Sequence, residues 1–173
     1  MAADFHNDIL TAGGDLPALA GQTESCVCAI FRGERNFAEV RRLARGFLSA
    51  PPGNLFLGLE DIGYIDERTE EEVCSWKPVY ASLTWNGANS LAGGCMSNAG
   101  LSKRGRRAAE FLSVRGICID CAHLNTESFR ELLGCKVFGL VDSHTCLNAV
   151  CSHPRNLDDW QVREIAARNG LVG

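Results

Sequence analysis

The chain has 173 residues, of which 46% are hydrophobic and 22% are charged, a composition that supports one sizeable core and argues against disorder. Lys plus Arg is 17 and Asp plus Glu is 21, so a net charge of −4 gives no support to nucleic acid or an anionic membrane as a partner. No apolar run approaches the about 18 residues of a membrane span, and the N-terminus does not resemble a signal peptide, so we expect one cytoplasmic domain, residues 1–173.

Short apolar runs alternate with amphipathic patterns along the chain, which predicts strands separated by helices. The first half predicts strands at 3–9 and 25–32, a helix at 36–50 capped by Asn36 with Glu39, a strand at 54–59, and an acidic stretch at 60–72 with at most a short helix. The second half predicts a strand at 79–83, a loop at 86–100, a helix at 102–114 capped by Ser102, a strand at 116–120, a helix at 126–133, a strand at 137–143, a helix at 157–169 capped by Asn156, and the start of a seventh strand at 170–173.

This alternation predicts right-handed βαβ units and a parallel sheet. An open doubly wound sheet fits the length easily, whereas a (β/α)₈ barrel usually needs about 250 residues and rarely fewer than about 200. Both folds place functional residues at the carboxyl ends of strands. The segment 12–15 after the first strand lacks the glycine spacing of a nucleotide-binding fingerprint.

The nine cysteines are odd in number and scattered in spacing, which argues against a disulfide framework. Cys118 and Cys121 form a single C-x-x-C inside a predicted strand, without the second pair that a zinc ribbon needs. We therefore expect reduced, structural thiols in a reducing compartment.

Polar residues with metal-binding side chains follow four of the predicted strands. His6 and Asp8 lie two apart at the end of the first strand, so both side chains point to the same side. Glu60 ends the third strand, with Asp61 as a competitor for the same role. His123 and His144 follow the fifth and sixth strands. Taken singly, each of these residues is more typical of a solvated or hydrogen-bonded strand end.

Their combination points to a metal centre, because all five would lie at one edge of a parallel sheet. Imidazole and carboxylate groups suit zinc, and five ligands exceed the needs of one tetrahedral ion. A carboxylate can bridge two ions about 3.5–4 Å apart, which activate a water molecule between them. That chemistry is typical of a hydrolase.

The chain resembles the membrane (renal) dipeptidase family of zinc peptidases, which are barrels of the amidohydrolase type. The matching stretches occur in the family's order and are 4–8, 58–61, 82–86, 119–123 and 143–159. The resemblance implies an α/β fold, an incomplete (β/α)₈ TIM-type barrel of about six to seven parallel strands with helices outside. It also implies that residues 1–173 form a single truncated domain of this kind.

The resemblance assigns a role to each matching residue. It implies that His6 and Asp8 bind one zinc ion, that His123 and His144 bind a second, and that Glu60 bridges both as the catalytic carboxylate. A hydroxide that bridges the metals would then hydrolyse dipeptides or similar small amides.

The implied substrate contacts lie in two further stretches. Arg155 would hold the terminal carboxylate of the substrate, while Trp85 and Asn86 would line the pocket. His153 matches no role, and we expect it to face solvent.

Two departures from the family set limits on this expectation. Trp85 stands where many relatives have a histidine, and a tryptophan cannot accept a proton. The family also has an aspartate at the end of a late strand, and this sequence ends before that strand; the region 11–24 is short as well. We therefore expect weak or no activity from the chain alone.

The alternative is a catalytically impaired metal-binding protein or split-enzyme subunit, whose barrel a second copy or a complementing chain completes.

Overall fold

Six parallel strands alternate with helices in the computed structural model, which describes residues 2–173. The elements are β1 (Ala2–Asn7), α1 (Ile9–Ala12), α2 (Leu16–Gln22), β2 (Thr23–Phe31), α3 (Phe37–Ser49), β3 (Leu55–Glu60), α4 (Glu70–Ser75), β4 (Tyr80–Ser82), α5 (Lys103–Val114), β5 (Cys118–Asp120), α6 (Thr126–Leu133), β6 (Leu140–Val141) and α7 (Asp159–Ala167). The strands lie side by side in chain order from β1 to β6. The open doubly wound sheet that the length favours is therefore wrong, because such a sheet reverses its strand order.

The sheet curls strongly, and contacts across its concave face give the evidence. His6 Nδ1 on β1 lies 2.8 Å from the Tyr80 hydroxyl on β4. The same nitrogen lies 3.4 Å from Ser143 Oγ, just beyond β6. In a flat sheet β1 and β6 would be about 24 Å apart at the usual strand spacing. The fold is thus an incomplete (β/α)₈-type barrel, as the resemblance implies.

The last residues of the chain begin a seventh strand beside β6, as the sequence predicts. Asp142 pairs with Val172 in a parallel bridge. The Asp142 N–H donates to Leu171 O at 2.9 Å, and the Gly173 N–H donates to Asp142 O at 2.8 Å.

Both faces of the sheet are covered by apolar side chains, as is usual for parallel strands. The larger core lies between the sheet and the helices, where α3 contributes Val40, Ala44 and Phe47. A smaller cluster on the concave face contains Val27, Tyr80 and Val141.

All nine cysteines are free thiols; Cys121 is buried and Cys118 is partly buried. None of the helices within residues 2–173 is long and apolar enough to cross a membrane.

Local capping signals predict two of the helix starts correctly. Asn36 Oδ1 accepts a hydrogen bond from the Glu39 N–H at 3.1 Å, and Glu39 Oε2 accepts one from the Asn36 N–H at 2.9 Å. This reciprocal pair is the predicted capping box of α3. Ser102 Oγ caps α5 in the predicted way by accepting from the Gly105 N–H at 2.9 Å.

Three predicted details are wrong. Helices α1 and α2 occupy a region for which the sequence predicted none, although Asp15 before Leu16-Pro17 is a capping signal, and its Oδ1 accepts from the Ala18 N–H at 3.1 Å. Helix α7 is capped by Asp158 and not by Asn156, whose side chain instead donates to Cys151 O at 2.7 Å. Strand β6 is shorter than predicted.

Asp142, directly after β6, carries a buried carboxyl group. Its side chain is fully buried, and neither carboxylate oxygen has a hydrogen-bond partner among the described residues. Burial and the nearby Asp120 raise the pKa of Asp142 well above its usual value, although Arg155 opposes the rise. The folded chain therefore keeps a proton that the unfolded chain releases, so this group costs stability as pH rises above 3.8.

We predict that Asp142→Asn raises the free energy of unfolding by about 1–3 kcal/mol near pH 8 and by much less near pH 4, because the amide needs no proton to stay neutral. Urea unfolding at both pH values measures the effect. Glu34→Gln, at an exposed carboxylate, is the control and should show no such difference. A gain for Asp142→Asn that does not depend on pH would contradict the interpretation.

Candidate metal centre

The carboxyl edge of the sheet brings all five predicted ligand residues together. His6 lies in β1 and Asp8 directly follows it, while Glu60 is the last residue of β3. His123 and His144 lie three residues beyond the ends of β5 and β6. Because parallel strands end at the same edge, these side chains converge on one point.

The two carboxylate oxygens of Glu60 face two different groups of side chains. Its Oε1 lies 2.9 Å from His123 Nε2 and 3.9 Å from His144 Nε2, and those two nitrogens are 3.0 Å apart. Its Oε2 lies 3.7 Å from His6 Nε2, which is 3.6 Å from Asp8 Oδ1. One carboxylate thus separates a His–Asp pair from a His–His pair.

The competitor for this position, Asp61, points elsewhere. Its backbone adopts a left-handed conformation with φ of 57°, which turns the side chain away from the site. Asp61 Oδ1 accepts from Asn89 Nδ2 at 2.7 Å, and Oδ2 lies 3.4 Å from Arg32 Nη1. Of the two adjacent carboxylates, Glu60 therefore lies among the histidines and Asp61 does not.

The donor atoms fit a divalent metal of the zinc class. Ligand atoms of His6, Glu60 and His144 all lie within 4.8 Å of one another. Two nitrogens bound to one tetrahedral zinc ion at 2.0–2.1 Å are about 3.3 Å apart, and the Nε2 atoms of His123 and His144 are separated by 3.0 Å. The metal-binding roles themselves stay a prediction.

The histidines differ in protonation. Burial lowers the pKa of His6, but the negative charges of the nearby Asp8, Glu60 and Asp120 outweigh it, so this pKa is raised. Burial and the nearby His6, Arg155 and His123 lower the pKa of His144 to about 3. The His144 ring is therefore neutral near pH 7 and keeps a free lone pair, which a metal ligand needs.

In each of the three histidines Nδ1 contacts another side chain of the protein, and Nε2 points toward Glu60. The Nδ1 atoms lie 2.8 Å from the Tyr80 hydroxyl for His6, 2.8 Å from Asn86 Oδ1 for His123, and 2.9 Å from Ser143 Oγ for His144. The structure thus places Asn86, a predicted substrate contact, against His123.

Sequence analysis missed Tyr80 and Ser143. A polar side chain at an inward-facing strand position is the signal that could have found them.

The predicted substrate contacts border the same site. Arg155 Nη2 donates to His144 O at 2.6 Å, which holds the guanidinium beside the histidines. The Trp85 ring is 45% exposed and packs 5.3 Å from the Phe31 ring and 6.2 Å from that of His123, measured between centroids. Exposed His153 has no contact with the donor groups; its Nδ1 accepts from the Arg155 N–H at 3.1 Å.

The second half of the chain is similar in sequence to a known protein family. The family model described as membrane dipeptidase (peptidase family M19) matches residues 76–173, more than half of the chain. An uncharacterized protein in the pqqA 5′ region of Klebsiella pneumoniae is 31% identical over 97 residues, which cover 51% of this chain. An uncharacterized dipeptidase of Schizosaccharomyces pombe is 30% identical over 97 residues, which cover 54%. The matches span only 36% and 24% of the length of these relatives.

Solved structures show the same fold over the whole chain. The dipeptidase AC, a metallopeptidase of family M19, aligns with a TM-score of 0.86 at 19% identity, covering 99% of this chain and 71% of that one. A metallopeptidase from Rhodobacter sphaeroides, liganded with a phosphinate mimic of the dipeptide L-Ala-D-Ala, aligns with a TM-score of 0.77 at 17% identity, covering 99% and 72%.

The lowered pKa of His144 predicts a specific acid sensitivity of the metal-free protein. Between pH 6.5 and about 3 the unfolded chain takes up a proton at this ring and the folded chain does not, so stability falls as pH falls through this window. His144→Gln should make the loss of unfolding free energy per pH unit smaller. A fully buried ring would account for about 1.4 kcal/mol per pH unit, and His144 should account for only a fraction of this because it is partly exposed.

Urea unfolding of chelator-treated protein at several pH values measures this slope. His153→Gln on the exposed loop is the matched control and should leave the slope unchanged. Equal slopes for the wild type and His144→Gln would contradict the assignment.

Proposed function

Because the chain belongs to the membrane dipeptidase family of metallopeptidases, we propose that it is a zinc-dependent, dipeptidase-like hydrolase that binds two zinc ions. The observation that carries the proposal is the position of Glu60, whose two oxygens face two separate groups of donor atoms. A carboxylate in this position is suited to bridging two ions.

The donor groups divide naturally into two sets. His6 and Asp8, with Glu60 Oε2, would hold one zinc ion, and His123 and His144, with Glu60 Oε1, would hold the other. Zinc bound in this way lowers the pKa of a water molecule toward neutrality and polarises the scissile carbonyl. The protein's part is to keep these donors aligned, and the burial of His6, Glu60 and His123 limits the access of bulk water.

The substrate we propose is a dipeptide or a similar small amide with a free carboxylate. Arg155 lies beside His144, where its guanidinium can form a forked pair with that carboxylate. The exposed face of Trp85 can stack against the substrate next to His123. The dipeptide mimic bound by the Rhodobacter sphaeroides relative supports this substrate class.

A second candidate is a metal-binding subunit that is catalytically impaired until a second copy or another chain completes the barrel. One observation favours it. The concave face contains a cavity of about 540 Å³ that is lined by apolar residues including Phe5, Val27 and Phe56. Phe56 is 45% exposed there, although it lies in a strand of the sheet. An apolar surface of this kind invites a covering chain.

Metal content and hydrolysis together test the proposal. We expect two zinc ions per wild-type chain by elemental analysis after zinc loading, and fewer for Glu60→Gln, because the amide is a poorer bridge than the carboxylate. Glu34→Gln, at an exposed site, is the matched control and should keep both ions. Release of free amino acids from a panel of dipeptides then measures activity, and His123→Ala should abolish whatever turnover the wild type has.

The outcomes separate the two candidates. Two bound ions with hydrolysis support the enzyme, and two bound ions without hydrolysis support the impaired subunit. A wild-type chain that retains no zinc would overturn both.

A further inference from the structure

Three buried side chains with no assigned role lie directly behind two of the histidines. Tyr80 and Asp120 are fully buried, and Ser143 is 2% exposed. Tyr80 contacts Nδ1 of His6, and Ser143 contacts Nδ1 of His144. The three come from β4, the end of β5 and the loop after β6, so the curled sheet brings them together.

Asp120 determines the direction of the hydrogen bonds in this group. Its Oδ1 accepts from the Ala122 N–H at 3.0 Å and from the Ser143 N–H at 2.9 Å. Its Oδ2 lies 2.6 Å from Ser143 Oγ. Since backbone N–H groups can only donate, Oδ1 is an acceptor, and the ionised Asp120 also accepts at Oδ2, where it takes the single proton of the Ser143 hydroxyl.

The orientation of Ser143 fixes the His144 ring. With its proton committed to Asp120, Ser143 Oγ offers only lone pairs to its other neighbours. His144 Nδ1, 2.9 Å away, must therefore carry the hydrogen of that bond. In a neutral ring this leaves Nε2 without a proton, and Nε2 is the atom that faces His123 and Glu60.

The same logic extends to His6 through Tyr80. Ser143 Oγ, which can only accept, also lies 3.4 Å from His6 Nδ1, so this nitrogen carries the hydrogen. The Tyr80 hydroxyl oxygen lies 2.8 Å from the same nitrogen and then accepts from it as well. The His6 ring is thus held with Nε2 unprotonated toward Glu60 and Asp8.

A glycine on the intervening strand makes room for this arrangement. A Cβ atom at Gly58 on β3 would lie 2.8 Å from Tyr80 Cζ and 2.9 Å from the Tyr80 hydroxyl oxygen. Any larger residue would push the tyrosine ring away from His6. Gly58 on β3 therefore leaves room for the Tyr80 ring to reach His6.

We propose that Tyr80, Ser143 and Asp120 are positioning residues that hold His6 and His144 in the Nδ1–H tautomer, so that both Nε2 lone pairs face Glu60. The use of those lone pairs for metal binding rests on the proposed function, but the tautomers do not. Partners of this kind typically change metal affinity by about 10–100-fold when they are removed.

Long-range ¹H–¹⁵N correlation spectra of the metal-free protein at about pH 9, where neutral imidazoles dominate, report the tautomer of each ring directly. His6→Gln and His144→Gln assign the two signals. In the wild type we expect Nδ1–H for both. Tyr80→Phe should give the His6 ring a substantial Nε2–H population, and Ser143→Ala should do so for the His144 ring.

Zinc affinity, measured by competition with a chromogenic chelator, is the second readout and should fall about 10–100-fold in both variants. Tyr64→Phe is the matched control, because the Tyr64 hydroxyl is buried without a hydrogen-bond partner among the described residues. It should change neither the spectra nor the affinity.

An Nε2–H tautomer of either ring in the wild type would overturn the proposal. Unchanged tautomers in Tyr80→Phe and Ser143→Ala would do the same. If the wild type shows the expected tautomers but binds no zinc, the proposed function fails while the positioning network stands.

Discussion

The buried carboxylate of Glu60 is the constraint on which the site depends. It ends β3 with only 4% of its side chain exposed, and a carboxylate is costly to bury without partners. Imidazoles from three other strand ends surround it, with His123 Nε2 at 2.9 Å from Oε1, and they divide into two groups around its two oxygens. The arrangement places a concentrated set of donors where a metal would satisfy the charge, which accounts for the tight clustering of the histidines.

Curling of the sheet makes this convergence possible. Strands β1 and β6 are neighbours neither in sequence nor in hydrogen bonding, yet His6 lies within 3.4 Å of Ser143. One side chain of the concave face serves both the packing and the site. Tyr80 packs against Phe5 and also reaches His6, past a strand that has only a glycine at the crossing point. The smaller core cluster and the site therefore share Tyr80.

The sequence predicts elements and ligands better than it predicts their support. Hydrophobic periodicity and strand-end polarity identified the six strands, the start of a seventh and the five residues that converge at the site, because these signals are local. The curl, the backbone turn that removes Asp61, and the contact of Asn86 with His123 depend on distant parts of the chain. The miss at the cap of α7 is local: the Asn156 side chain donates to Cys151 O, five residues away, and Asp158 caps the helix instead. Length alone pointed to the wrong sheet, and the strand order corrected it.

The central claim is that Glu60 lies between two metal sites. Anomalous diffraction at the zinc absorption edge, from crystals of the zinc-loaded protein, tests it most directly. The account predicts two peaks about 3.5–4 Å apart, one beside His6 and Asp8 and the other beside His123 and His144, with Glu60 contacting both. A single peak, or peaks that do not touch Glu60, would contradict it.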